Sequence, residues 1–226
     1  MSTFDWAGVL DYMPELGKGL YYTMLISVLG IAIGFVLGII FGLGRISRNK
    51  FLYGLCTVYI EIIRGTPVLV QAIWIYFALP LIINQGILDG GSFKMNSIVA
   101  GVIVIAINSG AYIAEIVRGA VASIDKGQME AARSLGLPRG QAMRHVIWPQ
   151  AFRRMIPPLG NQFIISIKDT SLLSVILVPE LIFQGRQIAA NHFNAVEIYS
   201  TVALFYLAIT LSLSFILRYM ERRLSV

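Results

Sequence analysis

The apolar positions of this chain fall in long uninterrupted blocks. Residues 20–43 carry no charge over 24 positions, 66–83 none over 18, 95–114 none over 20 and 198–217 none over 20. Each block can cross a hydrocarbon core, which takes about 20 residues at ~1.5 Å rise. A fifth block, 155–179, is interrupted by Lys168 and Asp169. The pattern predicts one all-α integral membrane domain over residues 1–226, with spans at about 20–44, 66–83, 95–116, 155–179 and 197–217. The stretch 51–63 is also apolar but is broken by Glu61. Joined to 66–83 it exceeds one membrane thickness, so Phe51 to Arg64 reads as a helix that lies along or dips into the membrane ahead of the second span.

Composition agrees. The chain is 57% hydrophobic and 13% charged, with a mean hydropathy of +0.74; soluble domains carry about 25% charged residues. A net charge of +6 would suggest a nucleic-acid partner in a soluble protein. Here the basic residues sort by loop instead. Fourteen lie between spans one and two, between spans three and four, or after span five; three (Lys18, Lys94 and Arg186) lie on the opposite side. The positive-inside bias therefore predicts an N-terminus outside, a C-terminus in the cytoplasm, and a cytoplasmic loop at about 125–149. The pattern is that of a multi-pass membrane protein, with the lipid bilayer and not nucleic acid as its surroundings. No cleavable signal peptide is expected in the first 19 residues, and the single Cys56 can form no internal disulfide. Gly30, Gly34, Gly38 and Gly42 make a stripe of small residues that permits close helix approach. It serves packing within the subunit or, less favoured, a dimer seam.

The 125–149 loop has a readable design. Asp125 can cap a helix, and Gln128 completes a capping-box spacing. Gly136 is placed for a left-handed exit and Pro138 for the start of a second helix. Ala131, Ala132 and Leu135 form a small apolar face between Glu130 and Arg133. So short a helix is marginal alone in water and needs a partner surface.

Residues 130–149, EAARSLGLPRGQAMRHVIWP, resemble the EAA loop of ABC importer permeases, with Glu130, Ala131, Ala132, Gly136 and Pro149 in register and Val146 and Trp148 as apolar replacements. Residues 60–71 (IEIIRGTPVLVQ), 107–120 (INSGAYIAEIVRGA) and 157–172 (PPLGNQFIISIKDTSL) are similar to the polar amino acid permeases, the histidine/glutamine/arginine group, and most to its glutamine permeases. The resemblance implies a type I ABC importer permease core that provides the translocation pathway. It also implies that Glu130, Ala131, Ala132, Leu135 and Gly136 couple to a separate dimeric ATPase. An extracytoplasmic amino acid binding protein and a second permease subunit, identical to this one, would complete the assembly in a bacterial inner membrane. No cofactor is expected in this chain, and ATP and Mg would be bound by the ATPase. A stand-alone secondary carrier or channel is the alternative; it would need its own coupling-ion site and no docking loop.

Polar residues inside the spans mark a candidate pathway: Glu61, Arg64, Thr66, Asn108, Tyr112, Gln162, Lys168 and Asp169. Asn108, Tyr112 and Glu115 share one helix face, and Gln162, Ser166 and Asp169 repeat that spacing. A charge at mid-bilayer costs at least ~2.5–3.5 kcal/mol, so Lys168 and Asp169 are expected to face a partner helix or a wet cavity. An amino acid zwitterion needs groups of both signs to replace its hydration. The simpler alternative is mutual neutralisation: Glu61 with Arg64, and Glu115 with Arg118, are one turn apart. His145 and His192 lack metal-like neighbours. No Walker A pattern, nucleophile elbow or zinc-ligand spacing is present, so neither ATP hydrolysis nor intramembrane catalysis is expected here.

Overall fold

The computed structural model describes residues 6–87, 91–192 and 194–224. Among them every regular element is helical. We label α1 (Met13–Arg45), α2 (Lys50–Gly65), α3 (Val68–Gly86), α4 (Ser97–Ala122), α5 (Lys126–Ser134), α6 (139–169), α7 (Leu181–His192) and α8 (Ala195–Leu224). By length and composition α1, α3, α4 and α8 can each cross a membrane.

Helices α1 and α4 form the spine. Gly30 faces Ile105, Gly34 faces Ser109, Gly38 faces Ile113 and Gly42 faces Val117, a constant offset of 75 residues. A constant offset means parallel axes, and the four-residue repeat keeps one ridge in one groove. A methyl group added at Gly30 or Gly42 would stand 2.7 Å from the opposing side chain, and one at Gly34 would run into the Ser109 hydroxyl. The glycine stripe is therefore packing within the subunit.

The stretch Phe51 to Arg64, read from the sequence as a helix that lies along or dips into the membrane, packs lengthwise against α1 and α4. α2 runs antiparallel to α1, with Phe41 stacked on Tyr59 at 4.0 Å and Cys56 seated on Gly44. Its other side meets α4, where the Tyr59 hydroxyl donates to the Ile107 carbonyl at 2.7 Å. Asn49 caps it, accepting from the Phe51 and Leu52 amides. Gly65–Thr66–Pro67 then breaks the helix, and α3 continues it.

Both α3 and α6 contain a π turn directly ahead of a proline. The Leu79 amide bonds to the Trp74 carbonyl, five residues back, just before Pro80; the Trp148 amide bonds to the Met143 carbonyl in the same way before Pro149. Proline has no N–H and its ring crowds the carbonyl four residues back, and the widened turn accommodates both defects.

α6 ends at Asp169, where the sequence had suggested one span over 155–179. Residues Thr170–Ile176 form a 3-10 helix, and Leu177 takes a left-handed conformation (φ 62°) that turns the chain. Glu180, fully buried, then caps α7. It accepts from the Ile182 and Phe183 amides at 2.8 and 2.7 Å and from the Tyr206 hydroxyl at 3.1 Å.

The alternating helix directions sort the connections. The 123–138 segment lies at one end, where the Arg154 guanidinium donates to the Ser123 carbonyl at 2.6 Å. Residues 96–97 and 177–181 lie at the other, with the Ser97 hydroxyl bonded to the Leu177 carbonyl at 3.3 Å. Three apolar clusters fill the bundle: Ile26, Ile75, Val104 and Leu173 in the middle, Leu16, Leu181 and Ile198 toward the second end, and Ile113, Ile147 and Met155 toward the first.

Candidate functional site

The break between α2 and α3 leaves carbonyls that a continuous helix would have used. Gln71, one turn past Pro67, takes them up. Its amide nitrogen lies 2.8 Å from the Ile63 carbonyl, 3.0 Å from the Thr66 carbonyl and 2.9 Å from the Thr66 hydroxyl. Its oxygen accepts from the buried Asn108 amide on α4 at 3.2 Å. Two predicted site residues, Thr66 and Asn108, are thus joined through a third that the sequence reading missed. The available signal was a lone glutamine four residues after a helix-breaking proline.

Beside this node lies an apolar groove of about 470 Å³, lined chiefly by Ile62, Ile63, Trp74, Ile75, Ile103 and Ile107 with Thr66 and Gln71 at its polar edge. Arg64 and Tyr112 follow in the direction of the first end, with the guanidinium 5.4 Å from the ring centroid. An ion cluster comes next. Arg118 forks onto both oxygens of Glu115, with contacts of 2.9 to 3.1 Å. Arg45 lies 2.9 Å from Glu61 and 3.1 Å from Glu115. Arg64 stands 3.6 Å from Glu115. The expected Glu115–Arg118 pair is present. Glu61 and Arg64, by contrast, pair with Arg45 and Glu115 on other helices and not with each other.

The remaining predicted residues lie on α6 and form no hydrogen bond with this group. Gln162 is buried, 3.4 Å from the Ser166 hydroxyl. Lys168 is exposed in a groove with Ser171, Tyr199 and Tyr206, and Asp169 is half-buried beside it in the last helical turn. Contacts thus link Thr66 to Asn108 through Gln71, and Glu61, Arg64 and Tyr112 through the ion cluster; Gln162, Lys168 and Asp169 join neither group by a hydrogen bond or ion pair.

At the first end, α5 begins as its sequence suggests: the Asp125 carboxylate accepts from the Gly127 amide at 2.7 Å. Gln128 does not close a capping box; its side-chain oxygen accepts from Gln150 at 3.3 Å instead. Gly136 (φ 83°) ends the helix, with the Leu137 amide on the Ala132 carbonyl and the Gly136 amide on the Arg133 carbonyl. That pair of bonds is the Schellman arrangement. The small apolar face divides: Ala132 is buried against the bundle, while Glu130, Ala131 and Leu135 are exposed, Leu135 at 84%.

The family model for the inner membrane component of binding-protein-dependent transport systems matches residues 34–226. The glutamine transport system permease protein of Escherichia coli K12 is 52% identical, covering 99% of each chain. A probable glutamine ABC transporter permease protein of Bacillus subtilis is 41% identical over 96% of each chain. Among solved structures, the crystal structure of an amino acid ABC transporter with histidines superimposes with a TM-score of 0.90 at 38% identity, covering 98% of this chain and 99% of that one.

Proposed function

The chain belongs to the family of inner membrane components of binding-protein-dependent transport systems, and on that premise we propose that it is the permease of a glutamine importer. The observation that carries the substrate is the 52% identity to a glutamine permease across 99% of both chains. In this reading five helices, α1, α3, α4, α6 and α8, cross the membrane, with the N-terminus outside and the C-terminus in the cytoplasm. Two identical permeases pair with two ATPase subunits and receive substrate from an extracytoplasmic binding protein. The ATPases bind ATP and Mg and perform the hydrolysis.

The substrate path follows Glu61, Arg64, Thr66, Asn108 and Tyr112 along α2, α3 and α4, with Gln162, Lys168 and Asp169 of α6 outside that group. Glu130, Ala131 and Leu135 present the surface that enters a cleft on the ATPase; Ala132 holds the helix to the bundle, and Gly136 sets the exit. ATPase closure moves α5, and the bundle switches between outward-facing and inward-facing packings.

The test is reconstitution of the chain with its ATPase and binding protein in proteoliposomes. ATP-dependent uptake of labelled glutamine, by a complex holding a single kind of permease chain, is the expected result. Uptake driven by an ion gradient with no ATPase would instead identify a stand-alone carrier, which the family membership does not favour.

A further inference from the structure

The groove beside Gln71 has no charged residue in its lining, yet an amino acid carries a carboxylate and an ammonium group that lose hydration on entering it. The nearest charge along the chain is Arg64, which follows the groove-lining Ile63 and precedes the groove-lining Thr66 by two residues. The three arginines of its ion cluster are not equally held. Arg118 is forked onto Glu115, and Arg45 contacts both Glu61 and Glu115 with its side chain only 13% exposed. Both Glu115 oxygens already have donors within 3.1 Å. Arg64, at 3.6 Å, lies beyond hydrogen-bond range of that carboxylate. Its side chain is 37% exposed, and the Tyr112 ring holds the guanidinium from the face without using its N–H donors.

We infer that Arg64 is the specificity residue for the α-carboxylate of the transported amino acid, leaving Glu115 to form a forked pair with the substrate at the mouth of the groove. Glu115 loses little by this exchange, because Arg118 and Arg45 continue to neutralise it. The planar fork of arginine suits a carboxylate in a way that lysine does not. One turn away on α2, Glu61, with its side chain 60% exposed, carries the opposite charge. This inference rests on the pathway proposed above.

The experiment measures equilibrium binding of L-glutamine and of L-glutaminamide, which lacks the carboxylate, to the nucleotide-free permease–ATPase complex without binding protein. The wild-type complex is expected to prefer glutamine by about 10-fold or more, the scale of one charge-assisted pair. Arg64→Gln should remove that preference by weakening glutamine alone, and Arg64→Lys should retain part of it. An unchanged preference in Arg64→Gln, or equal weakening of both ligands, overturns the role of Arg64 and leaves the pathway standing. If the wild-type complex imports glutamine with its binding protein yet binds neither ligand without it, the pathway reading fails together with the inference.

Discussion

The α1–α4 pair and the α2–α3 pair solve the same problem in opposite ways. Both are helices packed inside one bundle. α1 and α4 are unbroken, and their contact is backbone against side chain along four glycines in fixed register. α2 and α3 are broken at Gly65–Thr66–Pro67, widened by a π turn before Pro80, and tied to α4 through the Gln71–Asn108 hydrogen bond. The first arrangement tolerates no sliding, since packed interiors do not deform smoothly. The second holds its geometry with a few polar contacts that can be exchanged. The proposed pathway lies along the second, so the difference assigns rigidity to one side of the bundle and adaptability to the other.

The strongest test of this contrast is Gly34→Leu. With no room for even a methyl group beside Ser109, we expect no folded subunit, seen as loss of a monodisperse complex after extraction. Gly54→Ala in α2, where an added methyl meets nothing within 4 Å, should leave yield and uptake intact. Gly136→Val comes next: it puts a β-branched residue at φ 83°, so membrane expression should persist while uptake and binding-protein stimulation of the ATPase are lost. Gln71→Leu should be milder. It strands carbonyls at the α2–α3 break and the Asn108 amide, and a fall in Tm of roughly 5 °C with reduced uptake is the expected reading. The smallest effect is expected for Lys168→Met, which removes an exposed charge outside the α2–α4 group and should change uptake less than about twofold. A larger loss there than for Gln71→Leu would reverse the contrast.

What the sequence made legible follows the same division. Uninterrupted apolar blocks announced α1, α3, α4 and α8, because length and composition suffice there. The Asp125 cap and the Gly136 exit were readable because their partners lie within a few residues. The packing of α2 was less legible, because the partner of Glu61 is Arg45, 16 residues away on another helix, and nothing local reveals it. The end of α6 at Asp169 was missed for a related reason: the 3-10 turn that follows is as apolar as a helix and is set by packing against α1 and α4. The importance of Gln71 depends on carbonyls that become free only once the break has formed.

The register of the glycine stripe also bears on how the chain is made. Gly30 needs Ile105, and the constant offset means that each half of the seam waits for a segment 75 residues further along. At a synthesis rate of ~5–20 residues per second, that wait is roughly 4–15 s. Throughout that interval the notched face of α1 is already in the insertion machinery or the bilayer without its mate. During biogenesis the first helix is therefore a half-finished surface that the nascent chain must keep from a wrong neighbour until the third apolar segment arrives.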